Sequence, residues 1–217
     1  MASQSVLFDG HMALDLRPVS VRQSPVRRLP QLFAGLALYG VSMGLMIRSS
    51  LGLDPWDVLH EALSERTGLT FGTITAIVGA LVLLCWIPLR QRPGVGTVAN
   101  ILVIAVAVDA TLAVVGTPSP LVLRILFLVS AVVLNALAAA IYIGARLGPG
   151  PRDGLMTGFT ARTGLSIRLV RTALELTVLA VGWLLGGTVG IGTVVYALSM
   201  GPLTQAFLPW VTWKMKD

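Results

Sequence analysis

Long apolar runs, separated by short polar stretches rich in Gly, Pro, Arg and Asp, set the pattern of this chain. A run of about 20 apolar residues is long enough to cross a bilayer as a helix. Six such runs lie near 31–48, 70–89, 97–116, 121–144, 167–186 and 190–209. The first, LPQLFAGLALYGVSMGLMI, carries no charge before Arg48. It lacks the small-residue cleavage site of a signal peptide and is read as a retained helix. The pattern predicts an all-α, polytopic membrane bundle of six transmembrane helices.

The chain also repeats itself. Residues 51–109 align with 147–205 at a constant offset of 96, without a gap and with 17 identities in 59 pairs. LGLDPWDVL at Leu51–Leu59 meets LGPGPRDGL at Leu147–Leu155, RTGLT at Arg66–Thr70 meets RTGLS at Arg162–Ser166, and GVGTV at Gly94–Val98 meets GIGTV at Gly190–Val194. Each half, 30–116 and 117–209, holds three spans. Three is odd, so the second half enters the membrane the opposite way round. Two inverted three-helix repeats are expected, an arrangement from which many secondary transporters are built. Residues 1–29, with Pro18, Pro25 and Pro30 and no helical periodicity, are expected to form a disordered cytoplasmic tail, and 210–217 are expected to be the cytoplasmic C-terminal tail.

Composition agrees with the pattern and charge orients it. Of the 217 residues 55% are hydrophobic and 12% charged, and mean hydropathy is +0.82. Soluble domains carry about 25% charged residues. A net charge of +6 invites thoughts of nucleic acid until the basic residues are placed. With the N-terminus inside, 13 of the 16 Lys and Arg fall on the inner side and only Arg48, Arg66 and Arg124 on the outer. Lys and Arg concentrate in cytoplasmic loops. The charge therefore predicts an even number of spans with both termini cytoplasmic. No basic helix or aromatic platform is left outside the membrane for nucleic acid. The single cysteine, Cys85, excludes an intramolecular disulfide.

Candidate chemistry falls into three groups. The segments 52–69 and 148–165 open with Gly and then Pro55 or Pro151, a residue suited to a first helical turn. Asp57 and Asp153 follow in that turn, where a carboxylate complements the helix dipole. Pro55, Asp57, Pro151, Arg152 and Asp153 are the candidate capping or gate residues. Asp57 and Asp153 are expected at opposite faces. The segments read either as interfacial helices or as re-entrant half-helices aimed at a central substrate. The polar side chains Asp57, His60, Glu61, Ser64, Glu65 and Arg66 favour the interfacial reading. Gly94, Gly96 and Thr97, with their equivalents Gly190, Gly192 and Thr193, read as backbone turns or close approaches; a backbone-lined ion site is the alternative.

Ionisable residues within spans are candidates for function by default. Asp109 is expected to pair with Arg124. Arg171 and Glu175, four residues apart, share a helix face. A structural ion pair and a proton or anion pathway both fit them. Asn100 joins these as a candidate pathway residue, and Asn135 reads as polar glue between helices. No intramembrane protease motif and no His, Cys or carboxylate cluster with metal-ligand spacing is present in the sequence. No enzymatic activity, cofactor or metal is expected. The partners expected are the lipid bilayer and a small-molecule, ion or peptide-like substrate, with homo-oligomerisation left open.

With LGLDPWDVL, RPGVGTVAN, LGPGPRDGLM and GGTVGIGTVVYAL in view, the chain resembles the bacterial YczE/YyaS/YitT membrane-protein family, in its YczE-like branch. The resemblance spans about 31–209, and GPRDGLM is its most specific element. It implies a bacterial inner-membrane protein with no established reaction. Links of some members to secreted peptide products imply export or support of a membrane-associated assembly. It supplies no catalytic residues. The leading expectation is a transporter or channel-like protein with its pathway between the repeats; the alternative is a non-transporting scaffold or maturation partner.

Overall fold

Helix starts recur along the chain at a fixed interval. The computed structural model describes residues 16–213 and contains eight helices among them. These are α1 (Pro25–Ser49), α2 (Pro55–Thr67), α3 (Phe71–Leu89), α4 (Val95–Val114), α5 (Leu121–Gly144), α6 (Pro151–Thr163), α7 (Ile167–Leu184) and α8 (Ile191–Val211). Pro25, Pro55, Phe71 and Val95 open the first four, and each of the last four opens 96 residues later. The spacing of 96 thus extends beyond the 59 aligned pairs to the starts of α1 and α5.

Local chemistry explains the boundaries. Pro55 and Pro151 supply a preset φ at the first turn, where the missing N–H is not needed. Thr70 and Ser166 cap α3 and α7 by accepting the N–H of Thr73 and Leu169. Gly68 and Gly164, at φ of 73° and 72°, end α2 and α6 in the left-handed region. Five helices, α1, α3, α4, α5 and α8, are long and apolar enough to cross a membrane. Six spans were expected; α7 has 18 residues but carries Arg168, Arg171 and Glu175. The protein exposes large apolar side chains such as Leu84, Leu102, Val106, Leu126 and Leu198, a surface suited to acyl chains.

The halves interlock. α1 packs on α5, and around this pair α1 holds α4 as α5 holds α8. The short helices cross over: α2 packs on α7 of the other half and α6 on α3. Two reciprocal contacts fix this exchange. Gly192 N donates to Leu51 O at 2.7 Å, and Gly96 N donates to Leu147 O at 2.9 Å. Gly52 and Gly148, at φ of 113° and 127°, turn the chain there, and a Cβ on Gly52 would stand 2.6 Å from Gly190 N. The glycine runs are thus close backbone approaches between halves. Thr97 and Thr193 hydroxyls accept the N–H of Gly94 and Gly190 and close the first turns of α4 and α8.

Residues 16–29 depart from the expected disordered tail, and the rest of that tail, with 214–217, lies outside the described residues. α1 begins at Pro25, and Arg28 is fully buried. Its guanidinium donates to the carbonyls of Val19, Ser20, Gln23, Ala145 and Arg146 and sits over Trp213. An arginine in the tail reads as solvated charge; here it ties the entry of α1 to the C-terminal end of α5.

Candidate functional site

The N-termini of α2 and α6 converge on one buried site. At α2, Asp54 is the N-cap: its Oδ1 accepts the N–H of Trp56 at 2.8 Å and of Asp57 at 3.0 Å. Asp57 Oδ1 lies 3.1 Å from Nδ1 of His60, one helical turn on. Asp54, Asp57 and His60 are 1%, 0% and 2% exposed. At α6 the equivalent N-cap is Gly150, which has no side chain to cap with. Trp86 Nε1 donates to Pro151 O at 3.0 Å and Thr97 Oγ1 to Pro149 O at 2.8 Å, so two helices of the first half hold the loop that opens α6.

Arg152 bridges the two ends. Its guanidinium lies 3.6 Å from Asp54, 3.9 Å from Asp57 and 5.2 Å from the Trp56 ring centre. Trp56 and Arg152 are equivalent positions in the aligned segments, 96 residues apart, and they meet here. Asp54 Oδ2 and Asp57 Oδ2 are buried and have no hydrogen-bond partner among the described residues.

A cavity of about 250 Å³ opens beside this cluster. Both halves line it: Tyr39, Asp54, Trp56 and Asn100 from the first, Tyr142, Arg152, Asp153, Arg171, Glu175, Tyr196 and Gln205 from the second. Tyr142 donates its hydroxyl to Asp153 Oδ2 at 2.9 Å. Arg171 Nε donates to Glu175 Oε1 at 2.9 Å. Behind the lining residue Tyr196, its hydroxyl donates to Asn135 Oδ1 at 3.0 Å, and Asn135 Nδ2 donates to Ser42 Oγ at 2.8 Å. This last chain joins α8, α5 and α1 and leaves no polar atom of Asn135 idle.

Several expectations change. Asp57 and Asp153 do not stand at opposite faces; both belong to the central site. The polar residues of 52–69 had argued against burial, but they divide along α2. Asp54, Asp57 and His60 are enclosed by protein, whereas Glu65 and Arg66 are exposed. Asp109 does not depend on Arg124. Its carboxylate accepts Thr70 Oγ1 at 2.5 Å and Gly72 N at 2.7 Å, which caps α3 from α4. Arg124 instead donates to the carbonyls of Ser49 and Ser50 at the end of α1. Arg171 and Glu175 do pair, on the cavity wall.

Asp54, Trp56 and the three tyrosines were not among the sequence candidates, and His60 counted there only as a polar residue of 52–69. A signal for Asp54 was available: it precedes Pro55 at the N-cap position, where Asp is strongly preferred. The tyrosines lie in apolar runs on three different helices, and no local pattern brings them together.

Comparison with known proteins fits this architecture. The chain is 41% identical over 177 residues to an uncharacterised protein of Haemophilus influenzae, covering 82% of this chain and 81% of the relative. It is 34% identical over 191 residues to the uncharacterised membrane protein YczE of Bacillus subtilis, covering 87% and 89%. It is 26% identical over 179 residues to the uncharacterised protein YyaS of the same organism, covering 81% and 89%. The resemblance to YczE-like and YyaS-like proteins is thereby borne out, and the chain is a membrane protein of that kind. No solved structure matches it. Residues 26–209 match a family of unknown function, DUF6198, and the chain belongs to that family.

Proposed function

We propose that this protein is a transporter or channel-like protein of the bacterial inner membrane, with its pathway at the interface of two inverted halves. On this reading α7 is the sixth span, both termini are cytoplasmic, and α2 and α6 are re-entrant half-helices. The proposal assigns the chain no catalytic reaction. The observation that carries it is the cavity where the N-termini of α2 and α6 meet, walled by charged side chains from both halves. Broken helices whose N-termini face each other near the membrane centre are a recurrent way of building a solute site. Ionisable side chains at that depth are costly to keep and are associated with substrate and ion pathways.

A scaffold or maturation partner has no need of such a cavity and would work as well with an apolar interior. The cavity favours the pathway.

Reconstitution into liposomes tests the proposal. Flux of a solute or ion that is lost on E175Q or R152A, with folding intact, supports it. Absence of flux across cations, anions, amino acids and short peptides, with those variants leaving cellular export unchanged, overturns it.

A further inference from the structure

Carboxylates outnumber guanidiniums at the central site. Asp54, Asp153 and Glu175 line the cavity, and Asp57 shares Arg152 with Asp54. Two guanidiniums, Arg152 and Arg171, face these four carboxylates. The pairings are unequal. Arg171 is taken by Glu175 at 2.9 Å, and Asp153 receives the Tyr142 hydroxyl at 2.9 Å. Arg152 remains for both Asp54 and Asp57, and at 3.6 and 3.9 Å it hydrogen-bonds neither well.

The two helix N-termini add positive potential, about half a charge each and so roughly one in total. Carboxylates exceed guanidiniums by two, so the fully ionised site stays negative. Each of Asp54 and Asp57 also keeps one buried oxygen without a donor. An unpaired buried carboxylate oxygen is an unfavourable state that a cationic donor relieves.

The walls specify what kind of donor fits. All three tyrosines of the chain, Tyr39, Tyr142 and Tyr196, face the cavity together with Trp56. Aromatic faces attract organic cations. A volume of about 250 Å³ admits a solute on the order of ten non-hydrogen atoms, well beyond a bare metal ion.

We propose that the cavity binds a small organic cation, an ammonium-bearing solute whose charged group is drawn to the Asp54 carboxylate and whose carbon body lies against Trp56 and the tyrosines. This deepens the pathway reading by naming its substrate class.

Calorimetric titration of the full-length protein in detergent tests it with benzylammonium, its neutral isostere benzyl alcohol, benzoate and sodium chloride. Benzylammonium is expected to bind saturably, and the other three at least about tenfold more weakly, a difference of about 1.4 kcal/mol. D54N is expected to weaken benzylammonium binding by about tenfold or more. T204W, which fills the cavity without changing its charge, is expected to abolish binding and serves if D54N does not fold. Equal binding of benzyl alcohol, tighter binding of benzoate, matching heat from sodium, or unchanged binding in T204W each overturns the proposal. So does a site that only takes up protons as pH falls and binds no benzylammonium. The pathway reading is judged separately by liposome flux: cation binding without flux refutes the pathway alone, and flux of other solutes without cation binding refutes this inference alone.

Discussion

Arg152 stands 3.6 Å from Asp54 and 3.9 Å from Asp57, so two carboxylates of the first half share one cation of the second. The pair joins the first turns of two short helices that sequence places 96 residues apart. Removing Arg152 leaves Asp54 and Asp57 buried without a guanidinium beside them.

R152A is therefore expected to destabilise the protein by about 3–5 kcal/mol, the range for breaking a buried pair. Combining R152A with D54N and D57N removes the stranded charges as well and is expected to recover part of that loss. Thermal unfolding in detergent, read as a mutant cycle, checks this. An additive cycle would show that the contact carries no coupling.

Gly52 and Gly68 separate crowding from backbone conformation. Both have positive φ, 113° and 73°, but a Cβ on Gly68 meets nothing within 4 Å while one on Gly52 meets Gly190 backbone at 2.6 Å. G68A is expected to cost about 1–2 kcal/mol, the price of a left-handed residue. G52A is expected to cost clearly more, because backbone of the other half must also move. Paired melting curves decide the order.

Asp109 and Glu175 are expected to behave oppositely. D109N weakens the cap on α3 and should lower stability by about 1 kcal/mol without altering solute flux. E175Q breaks a half-exposed ion pair, a loss of about 0–1 kcal/mol, but removes a cavity carboxylate and should change flux. Melting and liposome flux on both variants test the contrast.

Tyr196 lines the cavity and is tied to α5 through Asn135. Y196F leaves Asn135 Oδ1 without its donor and is expected to cost about 0.6–1.7 kcal/mol, the scale of hydrogen bonds between membrane helices. N135A loses two bonds and should cost more than Y196F. The reverse order in unfolding measurements would mean that the tyrosine acts chiefly through packing.

The apolar runs predicted the long helices closely because length and hydropathy are local: α5 occupies the expected 121–144, and α3, α4, α7 and α8 start or end within two residues of their runs. The repeat was equally legible, because Pro55 and Pro151 or the Gly-x-Gly-Thr pairs need no tertiary knowledge to align. The site was legible only in part. Asp57, Arg152, Asp153, Arg171, Glu175 and Asn100 were selected by residue type and position, yet Asp109 and Arg124 were selected on the same grounds and serve helix ends instead. The difference lies in which helix faces which, and that depends on the crossing of α2 and α6 into the opposite half. Burial of Arg28 was hidden for the same reason: its five carbonyl partners lie partly at 145–146, more than a hundred residues away.

The crossing also dictates an order of biogenesis. The first half leaves the ribosome with Asp54 and Asp57 already made, but Arg152, the Tyr142 side of the cavity and the α7 surface that covers α2 come later. Until then the loop of Leu51 lacks the Gly192 amide that will satisfy it, and Trp86 lacks the Pro151 carbonyl. Insertion of the early helices therefore cannot complete their folding. The newborn first half has to wait in the membrane with an open polar seam, and the arrival of α6 to α8 closes it.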